Sequence, residues 1–123
     1  MSQTNRAGLD EGQLRELQQL LIKAREDLVT RRSRQLRART GLVSEVEDEA
    51  DAAARAGDED RLVRLAEAEH DQVAEIDHAL AKFETGEYGL DEDTDEAIGY
   101  PRLKVVPWAR FAATTQEARE RRG

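Results

Sequence analysis

Two stripes of apolar residues constrain the fold of this chain more than any other feature. In both stripes the side chains recur in alternating steps of three and four residues, the spacing of one helix face in a coiled coil. The first stripe comprises Leu14, Leu17, Leu21, Ala24 and Leu28. The second comprises Leu62, Ala66, Glu69, Val73, Ile76, Leu80 and Phe83, and Glu69 is its polar member. The pattern predicts two long helices that pack along a narrow seam.

Composition agrees with a thin helical seam and excludes several classes of protein. Of the 123 residues, 37% are charged and only 4% are aromatic, which leaves little apolar surface for a large core. The net charge of -8 disfavours binding to duplex DNA, because that affinity comes from Lys and Arg on phosphates. No stretch approaches the roughly 20 apolar residues that span a membrane. We expect a cytoplasmic protein with a protein partner, no membrane and no sequence-specific nucleic acid.

The position of the turn between the two helices is not obvious, because both Gly57 and the acidic stretch 47–51 could form it. A reversal near residues 49 and 50 sets the first stripe against the second. A reversal at Gly57 leaves the first stripe without an apolar partner. We therefore predict a coiled-coil hairpin over residues 11–85, with its tip near 48–51 and Gly57 inside or briefly interrupting the second helix. Residues 23–39 hold seven basic and two acidic residues, whereas 45–60 hold eight acidic and one basic, so the tip is acidic.

The two ends of the chain follow other patterns. Residues 1–10 are polar and predict a flexible arm, and residues 117–123 predict a charged tail. Between them, residues 86–116 combine glycine, proline and short apolar runs, which indicates short strands and turns; we call this segment the knob. About 30 residues hold a core poorly on their own, so the knob should lean on the hairpin base through Ile98, Trp108 and Phe111.

No catalytic or metal-binding constellation emerges from the residues. The run Asp91-x-Asp93-x-Asp95 begins like a calcium loop, but Glu96 and Arg102 stand where such a loop needs glycine and a bidentate glutamate. The two histidines, His70 and His78, are eight residues apart, too far for a helical zinc pair. Without cysteine there is no thiolate zinc site and no cysteine nucleophile. We predict a binding protein without a cofactor, not an enzyme.

Residues 48–53 have the sequence DEADAA, which contains the pattern DxxDxA at the predicted tip. Together with two sets of residues further along the chain, this motif resembles the DksA/TraR family of RNA polymerase-binding regulators, which carries DxxDxA at the tip of its coiled coil. Residues 76–89 resemble the segment that leads into its zinc finger, and Ile98-Gly99-Tyr100, Arg102-Leu103 and Pro107-x-Ala109 resemble the finger's body. The spacing between tip and finger agrees without a gap, and the resemblance covers about residues 12–116.

The chain departs from the family pattern at two sets of positions. The four zinc-binding cysteines correspond to Asp91, Thr94, Ala112 and Thr115, so zinc is not expected and Tyr100, Trp108 and Phe111 should replace its contribution. Some family members bind the alarmone guanosine tetraphosphate with basic residues. The matched positions are Gln72, Glu75, Val106 and Gln116, none of them basic, which argues against alarmone binding by that route.

The resemblance implies a regulator of the kind that acts in the stringent response. Its hairpin would enter the secondary channel of RNA polymerase, where Asp48 and Asp51, supported by Ala53, would act near the catalytic centre and modulate initiation without reading DNA sequence. Two alternatives stay open. The chain could be a transcript-cleavage factor of the same architecture, whose tip carboxylates help to hold a catalytic metal, or a structural coiled coil that only oligomerises.

Overall fold

The computed structural model describes residues 3–41 and 49–123, which are mainly helical. The helices are α1, Glu11–Gly41; α2, Glu49–Thr85; α3, Tyr100–Val105; and α4, Ala113–Arg122. The mainly helical fold is confirmed, and no helix within these ranges is long and apolar enough to cross a membrane.

The short strands expected in the knob do not form. Its described backbone contains one isolated bridge, Leu90 with Ala97, and the two short helices α3 and α4 follow it. The bridge consists of two hydrogen bonds: the amide of Asp91 donates to the carbonyl of Glu96 at 2.7 Å, and the amide of Ile98 donates to the carbonyl of Gly89 at 2.8 Å. Inside the bridge the chain turns, and the amide of Asp95 donates to the carbonyl of Asp91 at 2.9 Å. The pairing therefore closes a loop and does not extend into strands.

Contacts divide the chain into two compact units. The first unit comprises residues 1–24 and 75–123, and the second comprises residues 25–74. The first unit therefore contains the start of α1, the end of α2 and the whole knob.

The outer ends of the two long helices, α1 at its start and α2 at its finish, have specific caps. Asp10 and Gln13 form a reciprocal capping box, in which each side chain accepts a hydrogen bond from the other residue's amide, at 2.7 and 3.0 Å. At the end of α2, Gly86 adopts a φ of 77° and the amide of Glu87 donates to the carbonyl of Lys82 at 3.0 Å. This is the bond pattern of a Schellman cap, and it directs the chain out of the helix into the knob.

The core of the first unit combines the helical seam with the knob. Both long helices and the knob contribute side chains that are at most 8% exposed. They are Leu17, Leu21, Ile76, Ala79, Tyr88, Leu90, Ile98 and Leu103. The predicted anchor Ile98 is buried, but Tyr100, Trp108 and Phe111 are only partly buried. The main aromatic in the core is instead Tyr88, which the sequence analysis did not select.

Tyr88 can fill the core because its polar end finds a partner. Its ring stacks on Phe83 with 4.1 Å between the centroids, and its hydroxyl donates to the carbonyl oxygen of Pro107 at 2.7 Å. Burial raises the pKa of the Tyr88 phenol, so the hydroxyl keeps its proton as a donor. One side chain thus joins the end of α2 to the segment that follows the short helix α3.

The N-terminal arm packs against the knob over its described residues, 3–10, which differs from the flexible arm that the sequence predicts. Ala7 and Leu9 are buried. The Asn5 side chain donates to the carbonyl of Tyr88 at 2.8 Å and accepts hydrogen bonds from the amides of Ala7 and Leu9 at 3.0 and 2.9 Å. This polar segment packs in a defined position because the Asn5 side chain hydrogen-bonds both to the backbone of the arm and to the backbone of the knob.

Gly57 lies inside α2, so the chain does not turn there. The residue is exposed, and an added Cβ would meet nothing within 4 Å. Of the predicted tip residues, Asp48 falls outside the described residues. Asp51 and Ala53 lie near the start of α2, and only their backbone belongs to the described part of the chain.

Glu69, the polar member of the second stripe, is buried in the second unit at 5% exposure. Both of its carboxylate oxygens lack a hydrogen-bond partner among the described residues. A buried polar group without a partner loses its hydration without compensation, so this position should oppose folding.

Replacing Glu69 with leucine is therefore expected to stabilise the protein by about 1 to 3 kcal/mol, the usual cost of an unsatisfied buried group. Urea unfolding followed by circular dichroism measures the change. Glu67→Leu is the matched control, because Glu67 lies on the same helix and is exposed. Equal effects of the two substitutions would mean that the burial of Glu69 carries no penalty.

Candidate functional site

The four positions that match the family's zinc ligands lie together in the structure around a single side chain. Asp91 follows the buried run Tyr88-Gly89-Leu90 and is itself only 1% exposed. Its carboxylate reaches the other three positions, Thr94, Ala112 and Thr115, although the last two lie about 20 residues further along the chain.

Each oxygen of the Asp91 carboxylate has a defined role. Oδ1 accepts hydrogen bonds from the amides of Asp93 and Thr94, at 2.8 and 3.1 Å, and so closes the turn that Asp91 begins. Oδ2 accepts from the amide of Ala112 at 2.8 Å. The side chain of Thr115, in the first turns of α4, donates a further hydrogen bond to the carboxylate. We call this arrangement the Asp91 clasp.

The clasp favours the charged form of the carboxyl group. Burial alone would raise its pKa, but hydrogen bonds from Ala112, Thr115, Asp93 and Thr94 outweigh burial and hold the pKa of Asp91 below its ordinary value. Asp91 is therefore ionised at neutral pH, and its hydrogen bonds are of the stronger, charge-assisted kind.

This set of residues does not fit a structural zinc ion. Such sites use four thiolate or imidazole ligands in a tetrahedron. Ala112 has no side-chain donor atom, Thr94 and Thr115 offer neutral hydroxyls, and both Asp91 oxygens already accept protein hydrogen bonds. Over the described residues, no group of three or more acidic or histidine side chains is arranged to hold a metal ion.

The other carboxylates of the acidic loop point to different partners. Asp93 pairs with Arg119 of α4 at 2.7 Å, and the Arg119 guanidinium also lies over the Phe111 ring, 4.3 Å from its centroid. Asp95, which has a φ of 61°, pairs with Arg6 of the arm at 3.3 Å. The three aspartates that begin like a calcium loop thus contact three different parts of the first unit.

Residues around Glu92 form an ion-pair cluster between α2 and the knob. Its carboxylate lies 2.5 Å from Nε2 of His78, 3.1 Å from Nζ of Lys82 and 3.5 Å from a guanidinium nitrogen of Arg110. Burial opposes ionisation, but the contacts with His78 and Lys82 outweigh it and lower the pKa of Glu92. The Glu92 carboxylate therefore pairs with a basic side chain of α2, Lys82, and with one of the knob, Arg110.

A basic residue, Arg110, lies beside one of the positions matched to alarmone binding, although it is not one of the matched positions itself. Arg110 donates to the two oxygens of Glu75 at 2.7 and 2.9 Å. The other matched positions, Gln72, Val106 and Gln116, are partly buried. Arg110 is 35 residues from Glu75 in the chain, so position matching could not reveal it. Because it is paired with Glu75 and Glu92, its charge is largely neutralised.

Comparison with known proteins identifies the family. No family model matches the chain. The RNA polymerase-binding transcription factor DksA of Caulobacter vibrioides is 36% identical over 117 residues, which cover 93% of this chain and 80% of that protein. The structure of transcription factor DksA2 from Pseudomonas aeruginosa superimposes with a TM-score of 0.80 and 32% identity, covering 91% of this chain and 86% of that one. The chain therefore belongs to the DksA family.

Proposed function

We propose that this protein is a transcription regulator that binds RNA polymerase. The observation that carries the proposal is the match to DksA of Caulobacter vibrioides, which is named as an RNA polymerase-binding transcription factor and aligns with 93% of this chain. A small, highly charged, mainly helical chain also suits a role in binding more than one in catalysis.

In the proposed mechanism α1 and α2 are the two arms of a coiled-coil hairpin. The acidic tip, with Asp48, Asp51 and Ala53, enters the secondary channel of the polymerase and modulates initiation without reading promoter sequence. Carboxylates brought close to a catalytic centre can perturb bound cations and moving polar elements.

Three features support this mechanism. The helices have 31 and 37 residues, which at ~1.5 Å per residue gives arms of about 45 to 55 Å, a suitable reach for a channel. The start of α2 at Glu49 lies within the predicted tip, residues 48–51. Acidic residues are concentrated in 45–60, where an insertion mechanism needs them.

Removing the tip charges should abolish regulation and preserve binding. In transcription assays with purified polymerase, the double variant Asp48→Asn with Asp51→Asn is expected to lose most of the effect on initiation. Its affinity for polymerase should stay within about threefold, a difference below 1 kcal/mol. The matched control is Glu67→Gln with Asp71→Asn, which removes the same charge from two exposed residues of α2 that lie outside the acidic stretch 45–60.

Other outcomes distinguish the proposal from its alternatives. A double variant that binds and regulates like the wild type would refute the tip assignment. Release of short 3′ RNA fragments from stalled complexes would favour a transcript-cleavage factor. Self-association in light scattering without any capture of polymerase would favour a structural coiled coil and refute the proposed function.

A further inference from the structure

We propose that the Asp91 carboxylate takes over the cross-linking role that a metal ion has in a zinc finger, so that the knob folds independently of metal. The inference concerns how the knob is held together and does not rest on the proposed role in transcription. It assigns a structural role to Asp91, which in the sequence is only a position where the family's zinc-binding cysteine is absent.

The geometry matches the task of a cross-link. A structural zinc ion joins two short chain segments at one point. Here the carboxylate joins the turn 91–94 to the segment 112–115, and it contacts a group at each matched position. An ionised carboxylate offers about four acceptor sites, enough for the three backbone amides and one hydroxyl found here.

Burial makes these bonds effective. At 1% exposure the carboxylate is shielded from water, so its hydrogen bonds are strong and an unmatched group at the site would be costly. Neighbouring contacts join the turn 91–94 to residues on either side of segment 112–115: the amide of Glu92 donates to the carbonyl of Arg110 at 2.9 Å, and Arg119 pairs with Asp93 at 2.7 Å. Asp91 lies inside this set of contacts.

The competing explanation is that the apolar core holds the knob and the clasp adds little. Leu90, Ile98 and Leu103 are buried. However, Ala112 and Thr115 are only partly buried. No apolar residue of segment 112–115 is among the buried residues of the core. If the apolar core alone holds the knob, a substitution of Asp91 should change its stability little. If the clasp holds the knob, the same substitution should lower its stability clearly.

The test is Asp91→Asn, which keeps the shape of the side chain but replaces one acceptor. The amide can still accept from Asp93 and Thr94, but its NH₂ group then faces the N–H of Ala112, and two donors oppose each other. We expect the melting temperature at pH 7 to fall by about 10 °C. Asp95→Asn is the control, because Asp95 is an exposed residue of the same loop and asparagine tolerates its φ of 61°.

The pH dependence provides an independent readout. The pKa of Asp91 is lowered in the folded state, so its stabilising effect is present above about pH 4 and is lost as the pH falls through the folded-state pKa. The difference in melting temperature between wild type and Asp91→Asn should therefore narrow in acid. If Asp91→Asn does not fold, Thr115→Val, which removes one donor to the clasp, should give a smaller loss of the same kind.

The metal readout completes the test. The melting temperature of the wild type should be unchanged by excess EDTA or by added zinc, and elemental analysis should find no stoichiometric zinc. Stoichiometric zinc, destabilisation by EDTA, or Asp91→Asn and Thr115→Val proteins as stable as Asp95→Asn would each overturn the proposal.

Discussion

Gly89→Ala is expected to destabilise the first unit by about 2 to 6 kcal/mol, from backbone strain and overpacking together. Gly89 has a φ of 93°, which residues with a Cβ rarely adopt. A Cβ would lie 2.9 Å from both the Ala7 Cβ and the Leu9 Cδ1, so the arm would have to move away. Such a loss is a large fraction of the stability of a small domain.

Urea unfolding, with comparison to Gly86→Ala, separates the two causes. Gly86 also has a positive φ, 77°, but a Cβ there meets nothing within 4 Å, so this control reports strain alone. In a double-mutant cycle, truncation of Leu9 to alanine should recover part of the additional loss at Gly89. If the two glycine variants are equally stable, the packing of the arm against Gly89 contributes nothing.

Four cysteines in place of Asp91, Thr94, Ala112 and Thr115 should make the knob depend on metal. These positions already surround one point, and thiolates bind zinc tetrahedrally. Structural zinc contributes about 10 to 16 kcal/mol in isolated zinc fingers, so binding should more than replace the lost clasp. We expect the quadruple variant to bind one zinc ion and to melt far lower after chelation.

Differential scanning calorimetry with and without EDTA measures this effect. Asp91→Cys alone is the control: it removes the clasp without completing a zinc site, so it should be destabilised under both conditions. A quadruple variant that folds equally well with and without zinc would show that the four positions are not close enough in solution to act as one site.

The helical part of the fold could be predicted because burial repeats along a helix. The alternation of threes and fours selected Leu17, Leu21 and Ile76, which are all fully buried. It also identified Glu69 as a seam position. The sequence also predicted that the hairpin ends at residue 85, and α2 ends at Thr85.

The contacts of the knob could not be predicted in the same way, because they follow no period. Asp91 acts on backbone amides, which every residue except proline carries, so its partners leave no trace in the side-chain pattern. Aspartate is a usual turn residue, because its side chain can accept a hydrogen bond from the amide two residues further on. This turn signal could have predicted the hydrogen bonds of Oδ1. It gives no information on the bond between Oδ2 and the amide of Ala112, 21 residues away.

The docked arm has a consequence for the order of folding during synthesis. Asn5 contacts the carbonyl of Tyr88 across 83 positions of the chain, and Arg6 contacts Asp95 across 89. Contacts of such long range form late, because most of the polypeptide must exist first. The arm is therefore synthesised well before its binding surface, and it can dock only after the knob has left the ribosome.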